Sequence, residues 1–238
     1  QWGAKDFAKN HGHEYTFALV GEPTSMEVVH VTKGSLWTTL KATGKAAHSS
    51  QPHRGENAIL KLTRALDTLD HHLGTKLGTF EHPVLGHSSL NVGVIQGGSR
   101  PNIVPDAASA VIDIRITPSL AAAGGALQLL QETISSFDLP IEIVNPHENP
   151  PMETAADHPV IKASLETGSK LAGAPWFSDA AHLSDGGIPS ICIGPGSIDQ
   201  AHTIDEFIDN FPTVERSQVE ALLQFARHDV EAQFGRAA

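Results

Sequence analysis

Three short stretches of this 238-residue chain bring together residue types that do chemistry. The first is Gly194-Pro-Gly-Ser-Ile-Asp-Gln-Ala-His202-Thr-Ile-Asp205-Glu206, at the end of the apolar run Ile188 to Ile193. A strand that opens into such a turn lies at the edge of a sheet, where open α/β folds bind ligands. An imidazole near carboxylates suits a divalent transition metal, His202 as nitrogen ligand, Asp205 and Glu206 to neutralise charge or orient the ring. The same residues would also serve as a surface loop capping the next helix. The second stretch, Gly21-Glu22-Pro23-Thr24, places a carboxylate just past a short strand, and the proline holds Glu22 extended. An ordinary turn with a solvated glutamate fits it equally. The third, Gly44-Lys-Ala-Ala-His48-Ser-Ser-Gln-Pro52, sets a histidine among small residues that leave its ring accessible. Such a ring can donate a hydrogen bond to a developing oxyanion, although a solvent-facing histidine in a loop would look the same.

The elements that must position these groups fall into two sets. From Glu27 to Thr43 two strand-like runs are broken at Lys33-Gly34, a hairpin signal. A helix follows Gly55 with Ile59, Leu62, Leu66, Leu69 and Leu73 on one face. Strands are expected over 89–95 and 109–117, and in the second Asp113 and Arg115 share the face opposite Ala110, Ile112, Ile114 and Ile116. A second helix carries Leu127, Leu130, Ile134 and Phe137, and Ile141 to Val144 is a further strand. Two helices on one face of a four-stranded antiparallel sheet make an α+β sandwich. Residues 147–154 read as a linker. Beyond them come a helix over about 159–171, the strand at Ile188, the His202 loop and a helix from Pro212. That alternation, with a strand over 16–20, reads as part of a parallel α/β sheet. The expected organisation is therefore a compact domain over 26–145 inserted into an α/β domain formed by 1–25 and 146–238.

Composition narrows the partners. A net charge of -11 argues against nucleic acid, which demands a basic surface. No run approaches the length of a membrane-spanning helix. The lone Cys192 lies in an apolar run, is expected to be a buried core residue, and fits a cytoplasmic protein.

Four motifs occur in order: Gly-Glu-Pro-Thr; Gly-Lys-Ala-Ala-His-Ser-Ser-x-Pro with Gly-x-Asn-Ala-Ile; Arg-Pro-Asn-Ile-Val-Pro-Asp leading to Asp-Ile-Arg; and Gly-Pro-Gly-Ser-x-x-Gln-Ala-His-x-x-Asp-Glu. Together they closely resemble the metallopeptidase family containing acetylornithine deacetylase, succinyl-diaminopimelate desuccinylase, aminoacylase and carboxypeptidase G. The last motif is most similar to the acetylornithine deacetylase branch. The resemblance covers almost the whole chain and implies an α/β fold. In it an incomplete zinc-peptidase-like α/β domain carries an inserted α+β, ferredoxin-like lid and dimerisation domain.

The resemblance also implies roles. Glu22 matches a carboxylate ligand to one metal of a zinc pair, with cobalt or manganese as possible substitutes, and His202 matches a histidine ligand to the other. His48 matches the lid histidine that, in dimeric members, reaches the partner subunit's site and polarises the scissile carbonyl. Asn102 and Arg115 match substrate-contacting lid positions, Arg115 through the substrate carboxylate, which suits a guanidinium fork. The segment Phe177-Ser178-Asp179-Ala180 resembles the family's substrate-side loop. The family's His-x-Asp pair, bridging aspartate and Glu-Glu pair precede Gly-Glu-Pro-Thr, and residues 1–20 hold none of them. His11-Gly-His13 has the wrong spacing and place for the missing pair. The chain is thus expected to be the carboxy-terminal part of a cytoplasmic, homodimeric zinc amidohydrolase of arginine biosynthesis that deacylates a small N-acyl amino acid, N-acetylornithine first. Alone it is expected to be inactive and to bind zinc weakly. The alternative is a non-catalytic relative, or a free lid-type module that dimerises through its sheet edge.

Overall fold

A computed structural model describes residues 2–198. In chain order these form α1 (Trp2–His11), β1 (Ala18–Val20), β2 (Val28–Thr32), β3 (Gly34–Thr43), α2 (Ala58–Thr68), α3 (Gly74–Leu77), the two-residue strands β4 (Glu81–His82) and β5 (Gly86–His87), and β6 (Ser89–Gly97). They continue with β7 (Ala107–Ile116), α4 (Pro118–Ala122), α5 (Gly125–Ser136), β8 (Glu142–Asn149), β9 (Met152–Glu153), α6 (Pro159–Glu166), β10 (Leu171–Ala174), α7 (Ala180–Asp185) and β11 (Ser190–Cys192). The helix expected from Pro212 lies outside the described residues. The chain divides into two compact units. Among the described residues, one is Thr32–Pro151 with residues 175–177, and the other is residues 2–31 with Met152–Ala174 and residues 178–198.

The Thr32–Pro151 unit is a four-stranded sheet in the order β6-β7-β3-β8, every neighbouring pair antiparallel. Its strand–helix–strand–strand–helix–strand path, with the first and third strands central, is the ferredoxin-like arrangement. The alternation in β7 places Ala108, Ala110, Ile112, Ile114 and Ile116 in the core, against Leu36 and Leu40 of β3 and the helices. Asp113 and Arg115 lie on the opposite face, as the period of two requires. Asn57 starts α2, its side-chain oxygen accepting the Leu60 amide at 3.1 Å. The apolar stripe of α2 runs on through a wide π turn at Leu69–Leu73 into α3, so that Leu62, Leu69, Leu73 and Leu77 are all fully buried. Each such leucine contributes about 1.5–3 kcal/mol of burial.

Two features of this unit differ from expectation for one reason, close backbone approach. Lys33-Gly34 is not a hairpin: β2 pairs with β9, β10 and β11 in a different sheet, while β3 pairs with β7 and β8. Gly34 is there because a Cβ would collide with the backbone of Asn149 and its neighbours, not because the chain turns. Residues 147–149 are not linker either. They are the end of β8, opposite Trp37, Leu36 and Ser35, beyond a bulge at Asn145-Pro146 where Asn145 takes a positive φ of 52°. Proline is tolerated there because β8 is an edge strand and the bulge interrupts its ladder.

The other unit is a five-stranded mixed sheet, β1-β11-β2-β10 with β9 also on β2. The β1–β11 pair carries the expected parallel geometry, Val20 lying opposite Cys192, whereas β11 meets β2 antiparallel. Val28 therefore belongs with Val160, Ile161, Ile191 and Ile193 in this unit's core rather than in the lid, and the division falls at Thr32 and Pro151 rather than at residues 26 and 145. The helix at Pro159 ends at Glu166, with Gly168 at a φ of 89°, and Leu171–Ala174 is strand. Thr154 ties the sheet together: its hydroxyl accepts the Ser190 amide at 3.0 Å and donates to the Ser190 carbonyl at 2.6 Å. No helix among the described residues is long and apolar enough to cross a membrane.

Candidate functional site

In the Thr32–Pro151 unit, the second and third motifs are neighbours. The His48 loop runs antiparallel beside the Asn102 loop: the Ser49 amide donates to the Asn102 carbonyl at 3.0 Å, the Val104 amide to Ala47 at 2.8 Å, and His48 bridges Ile103. Gly44 and Gly55, which frame the loop, are glycines because their Cβ atoms would meet the backbone of Glu56 and Lys45. His48 is exposed, and its Nδ1 lies 2.8 Å from the Ser50 hydroxyl. Asn102 is exposed as well. An open groove of about 540 Å³ runs beside this loop, with Ile59, Ile103 and three prolines in its wall and Arg100 at its rim.

Arg115 stands on the helix-free face of the same sheet, in a cross-strand row with Ser35 and Ser89. Its Nη2 lies 2.8 Å from Asp113 Oδ2, with about a third of its side chain exposed. Asp113 thus orients the guanidinium and leaves the rest of its fork available. Lys33 stands near it, 8% exposed, its Nζ donating to the His87 carbonyl. Burial first, and the Arg115 charge second, push the Lys33 ammonium below its ordinary pKa. The sequence marked Lys33 only as part of a turn signal, and its closeness to Arg115 emerges only from the folded sheet.

In the other unit, the first and last motifs are stitched together. The Thr24 and Met26 amides both donate to the Gly194 carbonyl, at 3.2 and 2.9 Å, and the Gly194 amide donates to Thr24 Oγ1 at 3.1 Å. The Ser25 amide reaches Gly196 at 2.6 Å, and Thr24 bridges Ser197. A side chain at Gly194 would strike the Glu22 carbonyl. Glu22 therefore sits at the carboxyl end of β1, against the start of the loop that leads to His202. His202, Asp205 and Glu206 themselves lie outside the described residues. Glu22 is partly buried, and burial first, then the charge of Asp179, raise its pKa above the ordinary value. Cys192 is fully buried, its Sγ 3.2 Å from the Ser178 hydroxyl. Burial first, with Glu22 adding to it, pushes the thiol up to about 12, so it is a core residue rather than a nucleophile.

Carboxylates crowded at a strand end suit a cation, so the chemistry of Glu22 and Asp179 fits one side of a metal site. Among the described residues, however, no group of three or more His, Cys, Asp and Glu side chains comes together. Glu22 is the only one of the two ligand positions named from the sequence that those residues include.

Comparison with known proteins agrees with this architecture. Residues 31–138 match the peptidase dimerisation domain of the M20 family. Acetylornithine deacetylase of Vibrio cholerae is 32% identical over 212 residues, covering 87% of this chain and 56% of that protein. The enzyme of the same name from Proteus mirabilis is 32% identical over 219 residues, covering 87% and 55%. The chain thus spans about half the length of the curated relatives it matches. Among solved structures, an M20 family metallo-carboxypeptidase from Sulfolobus solfataricus shares the fold with a TM-score of 0.64 at 16% identity, over 85% of this chain and 68% of that one. A tripeptidase from Staphylococcus aureus does so with a TM-score of 0.61 at 20% identity, over 81% and 53%. Residues 31–138 thus resemble the dimerisation domain of M20 peptidases, and over most of its length the chain is similar to proteins named acetylornithine deacetylase.

Proposed function

We propose that this chain carries part of a metal-dependent amidohydrolase that removes the acyl group from a small N-acyl amino acid, with N-acetylornithine as first substrate. The observation that carries the reading is the stitching of Gly-Glu-Pro-Thr to Gly-Pro-Gly-Ser, which sets the backbone of Glu22 against Gly194, in the motif that ends with His202. Glu22 and His202 are this chain's share of a two-zinc site. When bound, such metals lower the pKa of a water and polarise the scissile carbonyl.

The chain's own residues do the rest. Arg115, oriented by Asp113, takes the substrate carboxylate with the free side of its fork. Asn102 holds the substrate beside it. His48 donates a hydrogen bond to the oxygen on which negative charge develops. Homodimerisation through the Thr32–Pro151 unit is part of the proposal. Its edge strand β6 exposes Val92, Val94 and Ile95, an apolar edge whose outer ladder is unpaired among the described residues, which is what strand pairing with a second copy would cover.

Amine release from N-acetylornithine, N-succinyl-diaminopimelate and N-acetylcitrulline, measured on the natural gene product loaded with zinc, tests the reading. N-acetylornithine is expected to be turned over fastest. Arg115→Ala is expected mainly to raise KM and His48→Ala to lower kcat, each at least tenfold. A zinc-loaded gene product that cleaves none of the three amides sinks the proposal.

A further inference from the structure

His48 Nδ1 has two neighbours from one residue: the Ser50 hydroxyl at 2.8 Å and the Ser50 backbone amide at 3.2 Å. An amide N–H can only donate, so the nitrogen facing it offers a lone pair. A neutral ring held this way carries its proton on Nε2. The loop that presents the pair is fixed from its other side, by the Ser49 amide on the Asn102 carbonyl, the Val104 amide on Ala47 and the Gln51 amide on the His48 carbonyl at 2.9 Å. The ring is exposed, which leaves Nε2–H available to something outside the loop.

We propose that Ser50 is a positioning residue that locks His48 in its Nε2–H form, making the ring a committed hydrogen-bond donor rather than a base. The hydroxyl and the amide converge on one lone pair, so the opposite tautomer would turn an N–H toward a donor N–H. That arrangement loses one hydrogen bond and adds a repulsive contact. The hydroxyl can donate or accept and so fits either tautomer, which leaves the Ser50 backbone amide as the group that sets the choice. The inference rests on the proposed function only for the use made of the donor. The tautomer itself is a property of this chain, whatever it acts on.

The test is long-range proton–nitrogen NMR on the imidazole of His48 in this 238-residue chain, at about pH 8.5, where an ordinary imidazole is neutral. The signals are identified by their loss in His48→Gln. The expected result is an unprotonated Nδ1 and a protonated Nε2, with the Nε2–H form favoured by at least about tenfold. Ser50→Ala, which keeps the amide, is expected to hold that ratio without changing the thermal midpoint, and Ser50→Pro, which removes the amide N–H, to cut it severalfold. A wild-type ring that averages between tautomers or carries its proton on Nδ1 overturns the proposal. So does a ratio that folded Ser50→Pro leaves unchanged. If instead the tautomer behaves as stated but Ser50→Pro has no effect on kcat in an active natural gene product, the lock stands and the donor role in catalysis falls.

Discussion

The Thr32–Pro151 unit holds its reactive groups on a finished scaffold, whereas the unit around β1 and β11 gathers its groups at a strand end and a loop root. In the first, Arg115 and Asp113 project from a central strand whose other face is buried among fully covered leucines and isoleucines. In the second, Glu22 owes its place to backbone hydrogen bonds between two turns, and its nearest carboxylate works against it. The difference teaches where strain is kept. In the lid Arg115 meets Asp113 Oδ2 while Asp113 Oδ1 is buried without a hydrogen-bond partner among the described residues, and at the Glu22 end the Asp179 charge adds to burial in holding the carboxyl pKa up.

The sharpest way to break this comparison is to damage each core separately. Leu40 is fully buried on the central strand β3, and Leu40→Ala is expected to cost about 2–5 kcal/mol. Val28→Ala, in the core of the other unit, removes less volume and is expected to cost less. Urea unfolding of both variants checks the order, and equal losses would mean that the lid core is not the stronger scaffold.

Next in size is a cap that joins strand to helix. The Glu148 carboxylate of β8 accepts the Ala126 amide at 3.2 Å and the Leu127 amide at 2.8 Å, at the first turn of α5. Gly125, at a φ of 87°, lets the carboxylate in, since a Cβ there would collide with it. Glu148→Ala is expected to cost about 1–2 kcal/mol. Gly125→Ala should cost at least as much in the native background and less in Glu148→Ala, where only the backbone strain remains. A double-mutant cycle by thermal melting reads the coupling, and simple additivity would remove Glu148 from the cap.

The third prediction concerns pH at the Glu22 end. Its folded pKa is raised above 4.5, so the folded state binds its proton more tightly than the unfolded chain does. Stability is therefore lost as pH rises from 4.5 through the raised value. In the metal-free chain, Glu22→Gln should raise the thermal midpoint at pH 7, with the gain vanishing below the ordinary carboxylate range. Asp179→Asn should give a smaller gain of the same sign, since Asp179 is the lesser cause. A midpoint that falls in Glu22→Gln at pH 7 would show a satisfied carboxylate instead. The smallest effect is expected at the lid's ion pair. Asp113→Asn should cost no more than about 1 kcal/mol, because the pair is partly exposed and screened.

What the sequence made legible follows its periodicities and its motifs. The alternation in β7 and the leucine stripe of α2 each bury one face, and both are visible in a window of a dozen residues. The four motifs were readable one by one, and so was the order that carries the resemblance. Pairing between distant turns was not. That Gly21-Glu-Pro-Thr is stitched to Gly194, or His48 laid beside Ile103, depends on which strands become neighbours. Lys33-Gly34 was misread because a glycine required by a passing backbone looks the same as one required by a turn. The strand at Leu171–Ala174 escaped because Leu-Ala-Gly-Ala lacks the β-branched residues that mark strands. The hold of Ser50 on His48 rests on two distances within one loop and has no signature in residue type.

The most direct test of the central claim, that this chain supplies Glu22 and His202 as its share of a two-metal site, is calorimetric titration of zinc into the 238-residue protein. The account predicts weak binding that falls further in Glu22→Ala and in His202→Ala, with no hydrolysis of N-acetylornithine by this chain alone. Tight uptake of two zinc ions per chain, or binding that neither substitution alters, would contradict it.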